Sequence, residues 1–250
     1  MEQFNFDSTY TLGECVLETA QYRHIHCPEM LVRYDSNFIQ FKELPSLGEF
    51  QEVERYLRAF HEQRGQKHLK FYFPADQKVD SELASYLRQQ GYHNEVLELY
   101  VLDPKTFPKV SPNPQIEIQV VTAETLEDLL KLKYQQDLDF GEAFAQQKQG
   151  LTRRNLEASH IQQILAFYQG VAVGYLDVIL AEETVEIDDF VVDASHQKQG
   201  VGSHLQQFVM AAYPERTVLL LADGEDTPRE MYRKQNYQFQ GFKCAVLKVL

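Results

Sequence analysis

The chain has 250 residues, of which 24 are basic and 37 acidic, so its net charge at neutral pH is −13. Hydrophobic residues make up 44% of the sequence, which is enough for one large domain or two small ones and argues against a disordered chain. Because an acidic chain without a basic patch is repelled by polyanions, we expect neither nucleic acid nor an anionic membrane as a partner.

The cysteines at positions 15, 27 and 244 are widely spaced and form no Cys-x-x-Cys pair. This usage indicates neither a disulfide framework nor a cysteine-rich zinc site, and it fits a reducing compartment. The amino terminus has no basic segment followed by an apolar one, as a signal peptide would, so we expect a cytoplasmic protein. His24 and His26 share one strand face, but no third ligand has recognisable spacing, so no metal site is predicted.

The amino-terminal half contains a strand at 69–76 that follows one helix and precedes another. A second helix ends in the junction Leu87–Tyr92, which leads into the strand that closes this half. Three prolines between Phe107 and Pro114 disfavour both helix and strand pairing. We therefore predict domains at 1–108 and 115–250, joined by a proline-rich linker at 109–114.

The second half opens with alternating polar and apolar residues at 116–121, which predict a strand, and Thr122–Thr125 offers a cap for a following leucine-rich helix. The remaining predicted elements are a hairpin (160–168 and 171–181), a strand (185–193), a helix (200–212), a strand (217–223), a helix (227–235) and two closing strands (237–240 and 245–249). This order predicts an α/β (α+β) fold with one mixed sheet covered by helices.

The end of the second half resembles the end of the first. The strand at 218–223 matches the strand at 69–76 in its position between two helices, and Tyr232–Tyr237 matches Leu87–Tyr92 as a helix-to-strand junction. Similarity at a spacing near 145 residues favours a duplicated unit over chance likeness of short junctions.

A glycine-bearing segment between a predicted strand and a predicted helix has the strongest chemical signal: Gln197, Lys198, Gln199, Gly200, Val201, Gly202 and Ser203. Glycines allow close approach to a ligand, and the first amides of a helix point outward without partners, so this segment suits a phosphate or pyrophosphate. No lysine follows Gly202, as a Walker loop requires, and Leu205 stands where a dinucleotide fingerprint has its third glycine.

The remaining pattern, Gln-x-x-Gly-x-Gly after the strand Val185–Val192, resembles the acetyl-coenzyme A signature of the GNAT (Gcn5-related N-acetyltransferase) superfamily. The helix with Tyr232, followed by Asn236-Tyr237, extends the resemblance over about residues 115–250, although Asn236 replaces the usual glycine. The resemblance implies a mostly antiparallel sheet with one splayed strand pair and acetyl-coenzyme A as co-substrate, without a metal.

Carried over by position, the resemblance implies that backbone amides of 199–203 bind the pyrophosphate and that Val191 and Val192 pair with the pantetheine arm. Tyr232 falls where many members have the acid that protonates the departing thiolate, and the pKa of a phenol suits that role. The alternative for Tyr232 is an aromatic packing residue at the end of its helix.

An attacking amine must lose a proton, and some relatives place a glutamate where this chain has Glu186. Strand alternation puts Asp188 on the same face and Asp189 on the opposite one, so Glu186 or Asp188 could accept the proton, directly or through water. A solvent-exposed acidic strand face would look the same. No lysine or arginine occurs between Arg154 and Lys198, while eight acids do, which suggests a cationic amine as acceptor or simply charge that favours solubility.

The sequence therefore predicts a direct transfer of acetyl from acetyl-coenzyme A to a primary amine of a small acceptor. A sensor or scaffold that binds acyl-coenzyme A without turnover, and an acyltransferase for longer acyl groups, remain alternatives. The amino-terminal half has Leu47-Gly48-Glu49-Phe50 in place of the glycine loop and Leu87 in place of Tyr232, so we interpret it as a degenerate GNAT-like half. An unrelated domain that forms a homodimer is the other interpretation of this half.

Overall fold

The computed structural model describes residues 4–224 and 229–250, and within them the chain forms two compact units. The first unit comprises residues 4–99, 222–224 and 240–250, and the second comprises 100–221 and 229–239. Residues 109–114 form no helix or strand. Because each unit takes chain from both sides of this segment, the domain limits drawn from the sequence stay predictions.

The first unit has a mixed sheet in the order β1-β2-β3-β4-β11-β5. Pairing is antiparallel from β1 to β3 and between β4 and β11, and parallel between β3 and β4. Its elements are β1 (Glu14–Glu18), β2 (Tyr22–His26), β3 (Phe38–Phe41), α1 (Leu47–Glu62), β4 (His68–Ala75), α2 (Ser81–Gln89), β5 (His93–Leu102) and β11 (Gln238–Val249), with the ends of β5 and β11 assigned to the second unit.

Strand β4 shows why this sheet holds its helices. Leu69, Phe71 and Phe73 alternate with polar or amphipathic residues, so they share one face of the strand. That face is fully buried against Phe50 and Leu57 of α1. Removing these side chains from water is the main stabilising contribution of the first unit's core.

The second unit has the order β6-β7-β8-β9-β10, in which only the β9–β10 pair is parallel. Its elements are β6 (Ile116–Val120), α3 (Leu126–Asp137), α4 (Glu142–Asn155), β7 (Ile161–Tyr168), β8 (Val171–Leu180), β9 (Thr184–Val192), α5 (Val201–Ala212), β10 (Thr217–Asp223, in this unit to Leu221) and α6 (Arg229–Lys234). Leu165 of β7 and Tyr175 of β8 pack against Leu129 and Leu132 of α3. The predicted fold class, a mixed and mostly antiparallel sheet with flanking helices, is confirmed.

Two details differ from the sequence prediction. Helix α4 was not predicted, because its buried positions include Lys148 and Thr152 beside Ala145 and Leu151, and this mixture hides the apolar face. The two predicted closing strands are one strand, β11, since an irregular register between Lys243 and Ala245 lets it continue along β4. The predicted helix at 227–235 begins in residues that lie outside the described ones.

Matching helix ends support the predicted internal repeat. At the carboxyl end of α6 the amide of Tyr237 donates to the carbonyl of Tyr232, and Asn236 has a left-handed backbone with φ +67°. In α2 the amide of Tyr92 donates to the carbonyl of Leu87 in the same way, with Gly91 at φ +77°. Both are Schellman ends, which need a residue that tolerates positive φ.

The tyrosines that follow these two ends also match, each within its own unit. The Tyr92 hydroxyl donates to Glu54 of α1 at 2.8 Å, and the Tyr237 hydroxyl donates to Gln206 of α5 at 2.9 Å. The two helix-strand-helix-strand segments therefore share their internal packing as well as their order.

Four histidines of the first unit, His24, His26, His61 and His68, are buried beside one another. The rings of His61 and His68 lie 4.7 Å apart, and His24 packs on Phe60 with 4.4 Å between ring centres. Burial lowers the pKa of His24 to about 3 and those of His61 and His68 to about 4. These rings are therefore neutral in the folded chain at neutral pH, and they serve as packing residues.

The histidine cluster predicts a loss of stability in acid. The unfolded chain binds protons at the ordinary pKa of 6.5, whereas the folded chain resists them down to about pH 4, so the free energy of unfolding falls as the pH drops from 6.5 to 4. Each such histidine contributes a slope of up to about 1.4 kcal/mol per pH unit. Urea unfolding at pH 7.5 and pH 5 should show a smaller pH effect for His68→Gln than for the native chain.

The exposed His93 of the same unit provides the control. His93→Gln should leave the pH dependence of unfolding unchanged. An equal pH effect in the native chain and in His68→Gln would contradict the assignment.

Among the described residues, no helix has both the length and the apolar character that a membrane crossing requires.

Candidate active site

Strands β9 and β10 separate part of the way along their length. They pair in parallel from Thr184 with Thr217 to Ile187 with Leu220, and the paired residues end there. The rest of β9 continues to pair with β8 on its other side, with Val191 opposite Tyr175 and Val192 opposite Gly174. The β9 edge that carries Val191 and Val192 is therefore open toward β10, so the structure places both residues at a splayed strand pair, as predicted.

The separation coincides with a β-bulge in β9. Asp188 lies opposite Asp177 and Val191 opposite Tyr175, so β9 has one residue more than β8 in this interval. Asp189 takes up the extra length with a left-handed backbone at φ +50°. A bulge bends its strand and increases the local twist, which is the geometry a diverging strand needs.

The predicted glycine loop runs from β9 into α5. Lys198 and Gly200 have φ of +60° and +90°, and α5 starts at Val201 with Gly200 in the cap position. Among the residues that the structure describes, no side chain caps this helix, so the first amides of α5 point outward without an intrahelical partner. With the positive end of the helix dipole added, this end of α5 is suited to an anion.

Side chains of the loop stabilise the loop itself. The Gln197 amide donates to the carbonyl of Val192 at 3.2 Å, and the Gln199 amide donates to the carbonyl of Ser195 at 3.0 Å. These two side chains are thus engaged within the loop and its flanking residues. The predicted roles of residues 199–203, which rest on backbone amides, stay predictions.

Gly202 and Gly174 let α5 approach the sheet. A Cβ atom at Gly202 would stand 3.2 Å from Phe190 of β9, and one at Gly174 would stand 3.1 Å from the carbonyl oxygen of Val191. Side chains at these positions would push the helix away from the open edge of β9. The two glycines therefore keep the uncapped helix end and the open strand edge side by side.

The matching helix of the first unit ends differently. Ser46 caps α1, and Glu49 returns its carboxylate to the amide and hydroxyl of Ser46 at 2.8 and 2.7 Å. The Glu49 carboxylate also accepts from Gln21 at 2.9 Å. These hydrogen bonds from Ser46 lower the pKa of Glu49, so the carboxylate stays ionised. The anion position of α1 is filled by the chain's own carboxylate.

The two predicted proton acceptors differ in exposure. Glu186 is buried, with an exposed fraction of 6%, while Asp188 is half-buried. Glu186 lies opposite Ile179 and Asp188 opposite Asp177 on β8, so the two carboxylates share a strand face as predicted. The alternative of a solvent-exposed acidic face does not hold for Glu186.

Strand alternation predicted that Asp189 lies on the face opposite Glu186 and Asp188, and the structure contradicts this prediction. Lys133 of α3 binds Asp177 at 2.9 Å and Asp189 at 2.8 Å, so these two carboxylates are on one side of the sheet. The bulge at Asp189 interrupts the alternation and explains the difference. Lys148 of α4 binds Asp189 at 2.8 Å and Asp137 at 2.9 Å, which completes a five-residue cluster in which Asp189 is half-buried and the other four are buried.

Charge in this cluster is largely compensated. Burial would lower the pKa of Lys133, but Asp177 and Asp189 outweigh it and the pKa is raised. Burial raises the pKa of Asp177 to about 6 against the opposing effect of Lys133, whereas the two lysines hold that of Asp189 below its usual value. Two of the eight acids that suggested a cationic acceptor are therefore paired with lysines of the second unit. This pairing is not visible in the segment between Arg154 and Lys198, because both lysines precede Arg154 in the chain.

Tyr232 lies on α6 and is buried, with an exposed fraction of 6%. Its ring packs between Tyr100, at 5.3 Å between ring centres, and Tyr237, at 5.5 Å. Both the predicted acid role and the packing alternative are compatible with this position, so the role stays a prediction. Within the described residues, no group of three or more His, Cys, Asp or Glu is arranged to hold a metal ion.

Comparison with family models matches residues 124–237 to the acetyltransferase (GNAT) family and residues 4–100 to a domain of unknown function, DUF5613. The glycine loop, the bulge and Tyr232 all lie in the first of these ranges. No curated protein matches the chain.

Solved structures of similar fold include a functionally unknown conserved protein from Staphylococcus epidermidis, which is 31% identical, with a TM-score of 0.91 over 99% of this chain and 98% of that chain. A GCN5-related N-acetyltransferase from Kribbella flavida is 14% identical, with a TM-score of 0.58 over 85% and 81%. A tandem GNAT protein from the clavulanic acid biosynthesis pathway is 13% identical, with a TM-score of 0.51 over 85% and 75%. At 14% and 13% identity the likeness shows a shared fold, and its coverage includes both halves of this chain.

Gly202→Glu tests the open end of α5. A glutamate there puts a side chain against Phe190 and a carboxylate beside the position of a bound pyrophosphate, so coenzyme A affinity should fall by at least about 10-fold, equivalent to about 1.4 kcal/mol. Isothermal calorimetry with acetyl-coenzyme A measures the change, and thermal melting shows whether the variant stays folded.

Gly48→Glu is the matched control, because Gly48 is the second residue of α1 as Gly202 is of α5. A Cβ at Gly48 meets no neighbouring atom of the described residues within 4 Å. This control should bind acetyl-coenzyme A as the native chain does. Undiminished binding by a folded Gly202→Glu chain would overturn the loop assignment.

Proposed function

Because residues 124–237 match the acetyltransferase (GNAT) family, we propose that the chain is an N-acetyltransferase that transfers the acetyl group of acetyl-coenzyme A to a primary amine of a small acceptor. The observation that carries the proposal is the uncapped amino terminus of α5 beside the open edge of β9. Helix amides suit the pyrophosphate and the strand edge suits the amides of a pantetheine arm.

The residues present fit acetyl-coenzyme A. Amides of 199–203 would hold its phosphates, with Lys198 at the start of this turn, and main-chain groups of Val191 and Val192 would hold its arm. When bound, the co-substrate supplies the thioester that is cleaved. Since no lysine or arginine other than Lys198 occurs in this loop, backbone dipoles rather than side-chain charge provide most of the binding.

Proton transfer is assigned to three side chains. Glu186 or Asp188, on one face of β9, accepts the proton that the attacking amine must lose, directly or through a water molecule. Tyr232 donates a proton to the thiolate that leaves as the new amide bond forms. A protonated amine therefore loses two protons, one to the carboxylate before attack and one from the nitrogen as the amide bond forms. The released thiol carries the proton from the tyrosine, and proton exchange with solvent restores the tyrosine and the carboxylate.

A cationic acceptor remains the favoured class. The second half carries 12 basic and 20 acidic side chains. Asp177 and Asp189 pair with lysines, and Glu186 and Asp188 lie together on one face of β9 next to the splay. A positively charged amine is attracted by such a face, and it must then be deprotonated there before it can attack.

Tyr232→Phe tests the acid assignment, because phenylalanine keeps the ring between Tyr100 and Tyr237 but cannot donate a proton. Loss of a general acid should lower kcat by roughly 100-fold while the affinity for acetyl-coenzyme A stays unchanged. Thiol release across a panel of primary amines, repeated with longer acyl-coenzyme A thioesters, gives the rates and the preferred acyl group.

Tyr100→Phe removes the hydroxyl of the neighbouring ring and should retain native kcat. Equal turnover in the native chain and in Tyr232→Phe would exclude Tyr232 as the acid. Binding of acetyl-coenzyme A without turnover on any amine would contradict the enzyme proposal and favour a sensor.

A further inference from the structure

The bulge in β9 is built on an aspartate in a backbone conformation that side chains disfavour. Asp189 has φ +50°, in the left-handed region where a Cβ atom crowds the backbone. Asp and Asn tolerate this region better than other residues with a side chain, but they do not prefer it over an extended strand. Something outside the strand must therefore hold Asp189 in place.

Two lysines from two different helices hold the Asp189 side chain. Its Oδ2 atom lies 2.8 Å from Nζ of Lys133 on α3, and its Oδ1 atom lies 2.8 Å from Nζ of Lys148 on α4. Each lysine also forms an ion pair with a second carboxylate, Lys133 with Asp177 and Lys148 with Asp137. Because both carboxylate oxygens are engaged from separate helices, the side chain cannot rotate without breaking an ion pair.

The burial of this cluster shows that it is more than surface charge. Lys133 is 1% exposed and Asp137 2%. Buried ion pairs seldom stabilise a fold more than apolar residues of the same size would, because both partners lose their hydration. What such a pair does provide is a fixed geometry, since breaking it leaves an uncompensated charge in the interior.

The geometry that it fixes is the one that opens the candidate coenzyme site. The last β9–β10 pair is Ile187 with Leu220, two residues before Asp189. Immediately after the bulge, Phe190 lies under Gly202 at the start of α5, and Val191 and Val192 form the open edge. The conformation of Asp189 therefore sets the direction of both surfaces that the coenzyme would contact.

We propose that Lys133 and Lys148 are positioning residues that act through Asp189 to hold the β9 bulge, and with it the open strand edge and the floor beneath the glycine loop. The inference rests on the proposed function for its link to coenzyme binding. The two ion pairs of Asp189 with Lys133 and Lys148, called the clamp from here on, can be tested without a ligand.

Asp189→Ala and Asp189→Gly form the matched pair for the test. Both remove the carboxylate and leave Lys133 with Asp177 and Lys148 with Asp137, so the charge change is the same. Glycine adopts positive φ without strain, whereas alanine does not. If the clamp serves the backbone, Asp189→Ala should bind acetyl-coenzyme A at least about 10-fold more weakly than the native chain, and Asp189→Gly within about 3-fold of it.

Lys148→Met tests the lysine in the same way. Alone, it should weaken coenzyme binding, because Asp189 loses one partner. In the Asp189→Gly background the same substitution should have little further effect, since the backbone no longer needs the clamp. Equal weakening in both backgrounds, or native affinity in Asp189→Ala, would overturn the proposal.

Amide chemical shifts of Val191 and Val192 in the free protein separate this inference from the proposed function. They should move in Asp189→Ala and in Lys148→Met and stay near native values in Asp189→Gly. If the native chain binds no acetyl-coenzyme A, the proposed function fails, while the shift pattern still confirms or contradicts the clamp. Native shifts in all variants would contradict the clamp even if binding is observed.

Discussion

Unpaired backbone groups are the feature on which the proposed activity depends. Folded chains pair nearly all their buried amides, whereas an uncapped helix start beside an unpaired strand edge leaves such groups available to a ligand. Helix α5 and the end of β9 have both features, and the two glycines bring them together. In the first unit, Ser46 and Glu49 satisfy the matching helix start. The same supersecondary unit is thus open in one half and closed by a carboxylate in the other.

The sequence predicts well the turns, helix ends and strands whose conformation depends on residues close together in the chain. A turn that needs positive φ requires glycine or a tolerant residue, so Gly200 and Asn236 mark the loop and the helix end directly. Alternating apolar residues mark strands β6 to β9, whose predicted and observed limits agree within a few residues. The repeat was detectable for the same reason, because Tyr92 and Tyr237 keep the same position after equivalent helix ends.

What the sequence could not show depends on residues distant in the chain. Lys148 occupies a buried position on α4, where a charged residue conceals the helix pattern, and its partner Asp189 is 41 positions away. The bulge that turns Asp189 to the side of Asp177 has no local signature, so strand alternation gave the wrong face. The acidic charge between Arg154 and Lys198 looked uncompensated, because the lysines that pair with two of its acids lie earlier in the chain. Only a fold brings the lysines of α3 and α4 to β9.

The central claim is that coenzyme binds at the open helix end of the second half and not at the closed one of the first. Titration of isotope-labelled protein with acetyl-coenzyme A, followed by amide NMR, tests it most directly. The largest shift changes should occur at residues 191–192 and 199–203, with residues 46–49 unchanged. Changes centred on 46–49, or none at 199–203, would contradict it.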